Sequence, residues 1–366
     1  MRNLSSLHDA FEKEGIKAAR EQLSAWFREQ ERRPTRALDA ALREIGSNLF
    51  ISSHALRAAL CLHGGALVEQ GASAALLTEP LLAAFEASLF AAERLRSLAE
   101  SRFTEEADEK LREMSEETWL DLLGQDADGL DAFTSLGDWN LPFAAVMSRD
   151  LAGLARTQKN PDLTGAVDRL REVIPGLSFA HALLRLLHQE PLVVLFPELR
   201  EGHRVTLSGV VDIGQLTILL SSPLDEPFRR VGANGIAPSS VLAVAQGEGP
   251  QQIDDSYEAN LHLYPWPAMN PETGLPEPNR AEWLAPAGKG SHSLPPDYLP
   301  ADLPTLDGQR ILLAVGPQVP GEKAPRFRRI LPGYRMFDAL RATLQVSRLP
   351  DEETAGWLAR IRQESA

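Results

Sequence analysis

One cysteine stands in 366 residues, and that shortage sets the first limit. Cys61 cannot close an internal disulfide, so packing must hold the fold, and nothing implies an oxidising compartment. Long apolar runs are missing too. The most apolar zone, roughly residues 72–92, is broken by Glu79, Pro80 and Glu86, whereas a membrane span needs about 20 nearly uncharged residues. It reads as a buried helix of a soluble protein. The opening MRNLSSLHDAFEKEG has no apolar core and no cleavage site of a secretory signal. These shortages predict a soluble cytoplasmic chain of bacterial type, without a membrane partner. Positive charge is scarce as well: 37 Lys and Arg face 51 Asp and Glu, a formal net charge of -14. Phosphate backbones demand a basic footprint, so general nucleic-acid binding is excluded. A basic partner suits this balance better.

What is present is ordinary globular composition, 43% hydrophobic and 24% charged, at a length beyond one typical domain. From residue 1 to about 190 the apolar residues recur at helical spacing. Phe11, Ala18, Leu23, Trp26 and Phe27 mark a first helix, and Leu38, Leu42 and Ile45 a second that Gly46 ends. Ser52 and Ser53 cap a third through Leu56, Leu60 and Leu67, with Gly71 closing it. Further helices are predicted at about 78–100, 105–123, 142–155, 163–173 and 179–189. The pattern is that of a helical bundle.

Near Pro191 the apolar period changes from 3.6 to 2. PLVVLF, HRVTLSGVV and QLTILL read as successive strands of an antiparallel meander, with ANLHLY and RILLAV as two more. Residues 265–308 hold ten of the 26 prolines together with Trp266 and Trp283, and a loop so long in a compact domain is functional or disordered. Two helices, at about 334–346 and 351–363, end the chain. The prediction is an α+β fold: a helical bundle over 1–190, then a smaller α+β domain over 191–366 with a mostly antiparallel sheet and C-terminal helices.

The chemistry-bearing stretches are few. In CLHGG, residues 61–65, Cys61 and His63 lie two apart on a helix and point in different directions. That favours packing, with Gly64 and Gly65 admitting a neighbouring helix, and a buried, inert thiol. His181 and His188 are seven apart, about 10 Å along a helix, too far to share an ion. DADGLDAF from Asp126 lacks the third ligand and the terminal glutamate of a calcium loop, so it reads as an acidic loop. It belongs to a wider acidic zone, with thirteen acids against three bases over residues 100–138. AGKGSHS at 287–293 is no phosphate loop, because Trp283 and Gly290 occupy two of its required positions. Ser208, Asp212, His203 and His262 offer a weak nucleophilic set if the sheet gathers them. No metal ligation and no cofactor is implied.

Two features point to binding. Trp266 stands between prolines in YPWPAM, and Lys323, Arg326, Arg328 and Arg329 cluster in an otherwise acidic chain. Aromatics and arginines are enriched at interfaces, although the basic cluster could instead pair with the acidic zone. Both features flank RILLAV, where a sheet edge would present Trp266, Trp283, Arg326, Arg328 and Arg329 together. The sequence therefore predicts a noncatalytic accessory, regulatory or immunity-type protein that binds a peptide or protein. The alternatives are an enzyme with an unfamiliar site near the loop at 285–297, or a regulator sensing a small ligand between the two halves.

Overall fold

The computed structural model describes residues 4–30, 35–50, 53–248, 255, 257–277, 293–295, 298–317 and 340–366. The fold is α+β, and the chain forms two compact units, Met1–Leu184 and Arg185–Ala366.

The first unit is helical among its described residues. Its helices are α1 (Leu7–Gln30), α2 (Thr35–Ser47), α3 (His54–Glu69), α4 (Ala75–Phe103), α5 (Ala107–Glu113) and α6 (Glu116–Leu123). They are followed by α7 (Ala127–Ser135), α8 (Asn140–Met147), α9 (Leu151–Thr157), α10 (Pro161–Leu170) and α11 (Ser178–Leu184). Helix α4 organises the unit. Its Leu77, Leu81, Phe85, Leu89, Ala92 and Leu95 recur at steps of three and four and are buried, which places one stripe against several partners. Phe85 meets the Trp139 and Phe143 rings at 5.6 and 5.1 Å between centroids. Ala75–Glu113 is long and apolar enough to cross a membrane, and half of its most apolar window is buried inside the protein. Side chains cap the helix starts: Ser53 for α3, Ser115 for α6, Asp126 for α7, Asp150 for α9 and Asn160 for α10.

The second unit is built on a six-stranded sheet. Strands β1 (Leu187–Phe196) and β2 (Glu201–Val210) form a hairpin, and α12 (Ile213–Leu220), α13 (Asp225–Arg230) and α14 (Ser239–Gln246) follow. Then come β3 (His262–Pro265), β4 (Thr305–Leu306), β5 (Gln309–Val315), β6 (Thr343–Arg348) and α15 (Asp351–Glu364). The strand order is β3-β5-β1-β2-β6, with β4 paired to β5. Every pairing is antiparallel except β1 with β5, which is parallel.

Alternation along each strand divides the apolar residues between two faces. Leu192, Val194, Phe196, Leu312 and Ala314 join α12–α14 in one core. Val193, Leu195, Ile311, Leu313 and Val315 join Tyr264, Met269, Leu358 and Ile361 of the other. The sheet is the middle layer of three. The described parts of the proline-rich excursion are tied to both layers. Ala268 and Met269 pack on the α15 face, while Leu294 and Leu303, with Tyr298 half-buried, pack on the opposite one. The Leu294 amide donates to Leu263 O at 2.8 Å and the Ile213 amide to Tyr298 O at 2.9 Å.

Several sequence expectations are corrected here. QLTILL is part of helix α12, not a strand, and all eight residues of that helix are buried. An all-round apolar segment has no period to read, and the start is fixed instead by Asp212 Oδ1 accepting from the Gln215 amide at 2.6 Å. Residues 343–348 form β6 rather than the end of a helix, because they pair with β2 from His203↔Arg348 to Ser208↔Thr343. Helix α11 ends at Leu184, so His188 lies in β1 and shares no helix face with His181. DADGLDAF opens a helix instead of forming a loop. RILLAV is no sheet edge either: β5 is paired on both sides.

One close approach tests this packing. A Cβ on Gly316, just after β5, would sit 1.7 Å from the carbonyl oxygen of Val231, a backbone atom that cannot rotate away. Gly316→Ala is expected to destabilise the protein by about 3 kcal/mol. Gly356→Ala on α15, where a Cβ meets nothing within 4 Å, should stabilise by roughly 0.5–1 kcal/mol through helix propensity. Urea unfolding of both variants reads the contrast, and equal midpoints would refute the packing.

Candidate functional site

Each unit holds a cluster of buried polar side chains. In the first unit His54 opens α3, and its Nδ1 lies 2.8 Å from Ser88 Oγ while Nε2 lies 3.3 Å from Asp128 Oδ1. Asp131 accepts from the His54 amide at 2.7 Å and from the Ser53 hydroxyl at 3.1 Å. Serine, histidine and carboxylate in line resemble a nucleophilic triad, but Ser88 is 0% exposed. Its hydroxyl also lies 2.9 Å from Ala84 O of its own helix. No substrate atom can reach that oxygen, so the cluster is a polar lock joining α3, α4 and α7. Burial, aided by Arg57, holds the His54 ring below its ordinary pKa against the opposing pull of Asp128 and Asp131.

The second unit has a denser centre at the start of β2. Glu201 is 5% exposed, and its carboxylate accepts from Arg230 Nη1 of α13 at 2.8 Å. Arg348 Nε of β6 lies 3.7 Å away and His203 Nε2 3.5 Å away. The His203 ring stands edge-on to Phe196, 5.9 Å between centroids, and burial lowers its pKa while Glu201 raises it. A buried carboxylate survives only with such partners. It fixes α13 and β6 to the hairpin.

The proposed nucleophilic set is not assembled. His203 and Ser208 lie at opposite ends of β2, about 16 Å apart at strand rise. Ser208 Oγ accepts from the Gln189 amide at 3.0 Å. Asp212 caps α12. His262 is on β3, three strands from β2, with Nδ1 3.3 Å from Ser293 Oγ. Among the described residues no group of three or more His, Cys, Asp or Glu could hold a metal ion.

CLHGG packs. Cys61 is fully buried and burial alone pushes its thiol pKa well up, which leaves no thiolate to react. His63 stacks on Phe27 at 4.5 Å between centroids. A Cβ on Gly64 would lie 2.5 Å from Leu77 Cδ2 of α4, and one on Gly65 3.2 Å from Pro142 Cα of α8. The glycine pair is where two helices close on α3. The acidic zone is partly neutralised from α4: Arg94 pairs with Asp126 and Asp128, Arg96 with Asp108, and Arg102 with Asp121.

Of the predicted binding residues, Trp283, Arg326, Arg328 and Arg329 lie outside the described residues. Trp266 is half-buried and packs with Trp357 of α15 against the second core. Its Nε1 is buried and has no hydrogen-bond partner among the described residues. Sequence reasoning missed β6. It is the last strand of the sheet, and among the described residues no strand pairs with its outer edge. Thr343, Gln345 and Ser347 are exposed, whereas Leu344 and Val346 are half-buried against the first core. The alternation of Leu344 and Val346 was the available signal. No family model matches the chain, and no curated protein or solved structure matches it.

Two measurements check these placements. Trp266→Ala should cost about 2 kcal/mol of folding stability, since it empties a half-buried aromatic site; an unchanged urea midpoint would place the ring off the core. The second concerns pH. Burial holds His63 below its ordinary value of 6.5, so the unfolded chain takes up a proton at a higher pH than the folded one. Stability is then lost as pH falls through about 6.5, and the loss levels off below the folded value. Between about pH 7.5 and 5.5, His63→Phe should flatten the decline in unfolding free energy; an identical slope would show that the ring titrates normally.

Proposed function

We propose that this is a noncatalytic accessory, regulatory or immunity-type protein that binds a peptide or protein, and that the second unit receives an extended segment along β6. The edge of β6, unpaired among the described residues, is the observation that carries the reading. A terminal strand offers unpaired amides and carbonyls, and an incoming strand satisfies them by extending the sheet. Backbone bonds of that kind give affinity, while alternate side chains give selectivity. Every second residue of the segment would lie beside Leu344 and Val346, extending the first core, and the others beside Thr343, Gln345 and Ser347. The recognised segment would thus alternate apolar and polar residues. The opposite end strand, β3, is buried along its length and ends at Pro265, so it offers no comparable edge.

The experiment uses lysines placed on the exposed face of the edge strand. Thr343→Lys with Gln345→Lys keeps the backbone pairing with β2 and opposes added strands, as natural edge strands do. A stoichiometric polypeptide captured from native lysate by the parent protein should bind this variant at least tenfold more weakly, with the melting temperature little changed. Equal capture by both proteins would move the site away from β6, and no polypeptide captured by the parent would count against the binding class itself.

A further inference from the structure

We infer that helix α6, in the first unit, carries a second binding surface, made for a basic amphipathic segment of another protein. This goes beyond the β6 reading and rests on different residues. Thr118 and Leu122 are the buried residues of α6, and they occupy a narrow face. Trp119, Leu120 and Leu123 are 37%, 61% and 42% exposed. At 100° per residue these three span an arc of about 100° that begins about 60° from Leu122 and runs away from the buried face. Single exposed apolar residues are ordinary, but three on one eight-residue helix form a patch that folding does not explain.

The rim decides what covers it. Glu113, Glu116 and Glu117 are exposed and make no ion pair among the described residues, whereas Asp121 is already matched by Arg102 at 2.6 Å. Nearby Arg112 turns its Nε to Glu172 O at 3.2 Å. Glu116 and Glu117 in the first turn do answer the helix dipole, yet that leaves the tryptophan and leucines unaccounted for. A second copy of this chain is a poor occupant. A two-fold contact sets a patch against itself, and here it would oppose three carboxylates with the same three. Nucleic acid and anionic lipid are repelled by the same rim. A helix with leucine-like residues on one stripe and lysine or arginine beside it satisfies both parts, with apolar anchors at the centre and paired charges at the edge.

The probe is a synthetic helical peptide with leucines on one face flanked by lysines, compared with the same peptide carrying glutamates for lysines. Isothermal titration into the full chain should show one-to-one binding of the lysine peptide, weakening as salt is raised, and binding of the glutamate peptide at least tenfold weaker. Trp119→Ala and Leu120→Ser should each weaken the lysine peptide about tenfold or more. Because both side chains are exposed, the melting temperature should hold, and it is read for each variant. The reversal Glu116→Lys with Glu117→Lys should invert the preference between the two peptides. Binding that survives Leu120→Ser and the charge reversal would overturn the proposal, as would equal binding of both peptides. Concentration-dependent dimerisation that Leu120→Ser abolishes would also overturn it, by making a second copy the occupant.

Discussion

Strand β5 is apolar on both of its faces, and it lies between β1 and β3. Ile311, Leu313 and Val315 enter one core while Leu312 and Ala314 enter the other. Neither face can be left to water, so the rest of the unit is arranged to cover both. The segment after β2 supplies α12–α14 for the first face. The second is closed by α15 together with the turn that begins at Trp266. The proline-rich excursion follows from the same need, since its described parts bind down on each side of the sheet next to β3.

The polar interior obeys a related constraint. Two polar centres in the interior join elements that are distant in sequence. Asp131 fixes the start of α3 from α7, and Glu201 holds β2, α13 and β6 together. Removing Arg230 would leave the buried Glu201 carboxylate with only Arg348 and His203, at 3.7 and 3.5 Å, and so would cost stability. Chemistry requires an accessible atom beside an activated one. The clusters described have activation geometry without access: Ser88 has its histidine but no surface, and Glu201 is screened by arginines.

The helices of the first unit were legible wherever one apolar stripe faced one core, as in α4 with its run from Leu77 to Leu95. The boundaries of α3 were legible from Ser53 and Gly71. What failed had a physical cause in each case. Helix α12 is apolar all round, so its period could not separate helix from strand, and Asp212 followed by Gln215 was the overlooked start signal. Strand β6 is short, and its alternation shows only two apolar residues; its identity comes from pairing with β2, far away in sequence. Trp266 could be singled out by residue type, but it packs against a core shared with β1, β5 and α15, which no local pattern links to it.

The exposed face of α6 shows why surface cannot be read from periodicity alone. Residues 105–123 fit one amphipathic helix in sequence, yet Met114 adopts φ 41 and divides it into α5 and α6. The break frees α6 to turn independently of α5. Its apolar residues run in one broad arc from buried Leu122 through Trp119 and Leu123 to Leu120, and the last three are exposed. The inward side is fixed by Ser115 capping the start and by Arg102 gripping Asp121. Both anchors are polar, one of them reaching over from α4, so they set the rotation of the helix without reference to where its larger apolar side chains lie. A short helix oriented by polar anchors can therefore hold tryptophan and leucine in water, where an apolar stripe would otherwise have turned inward.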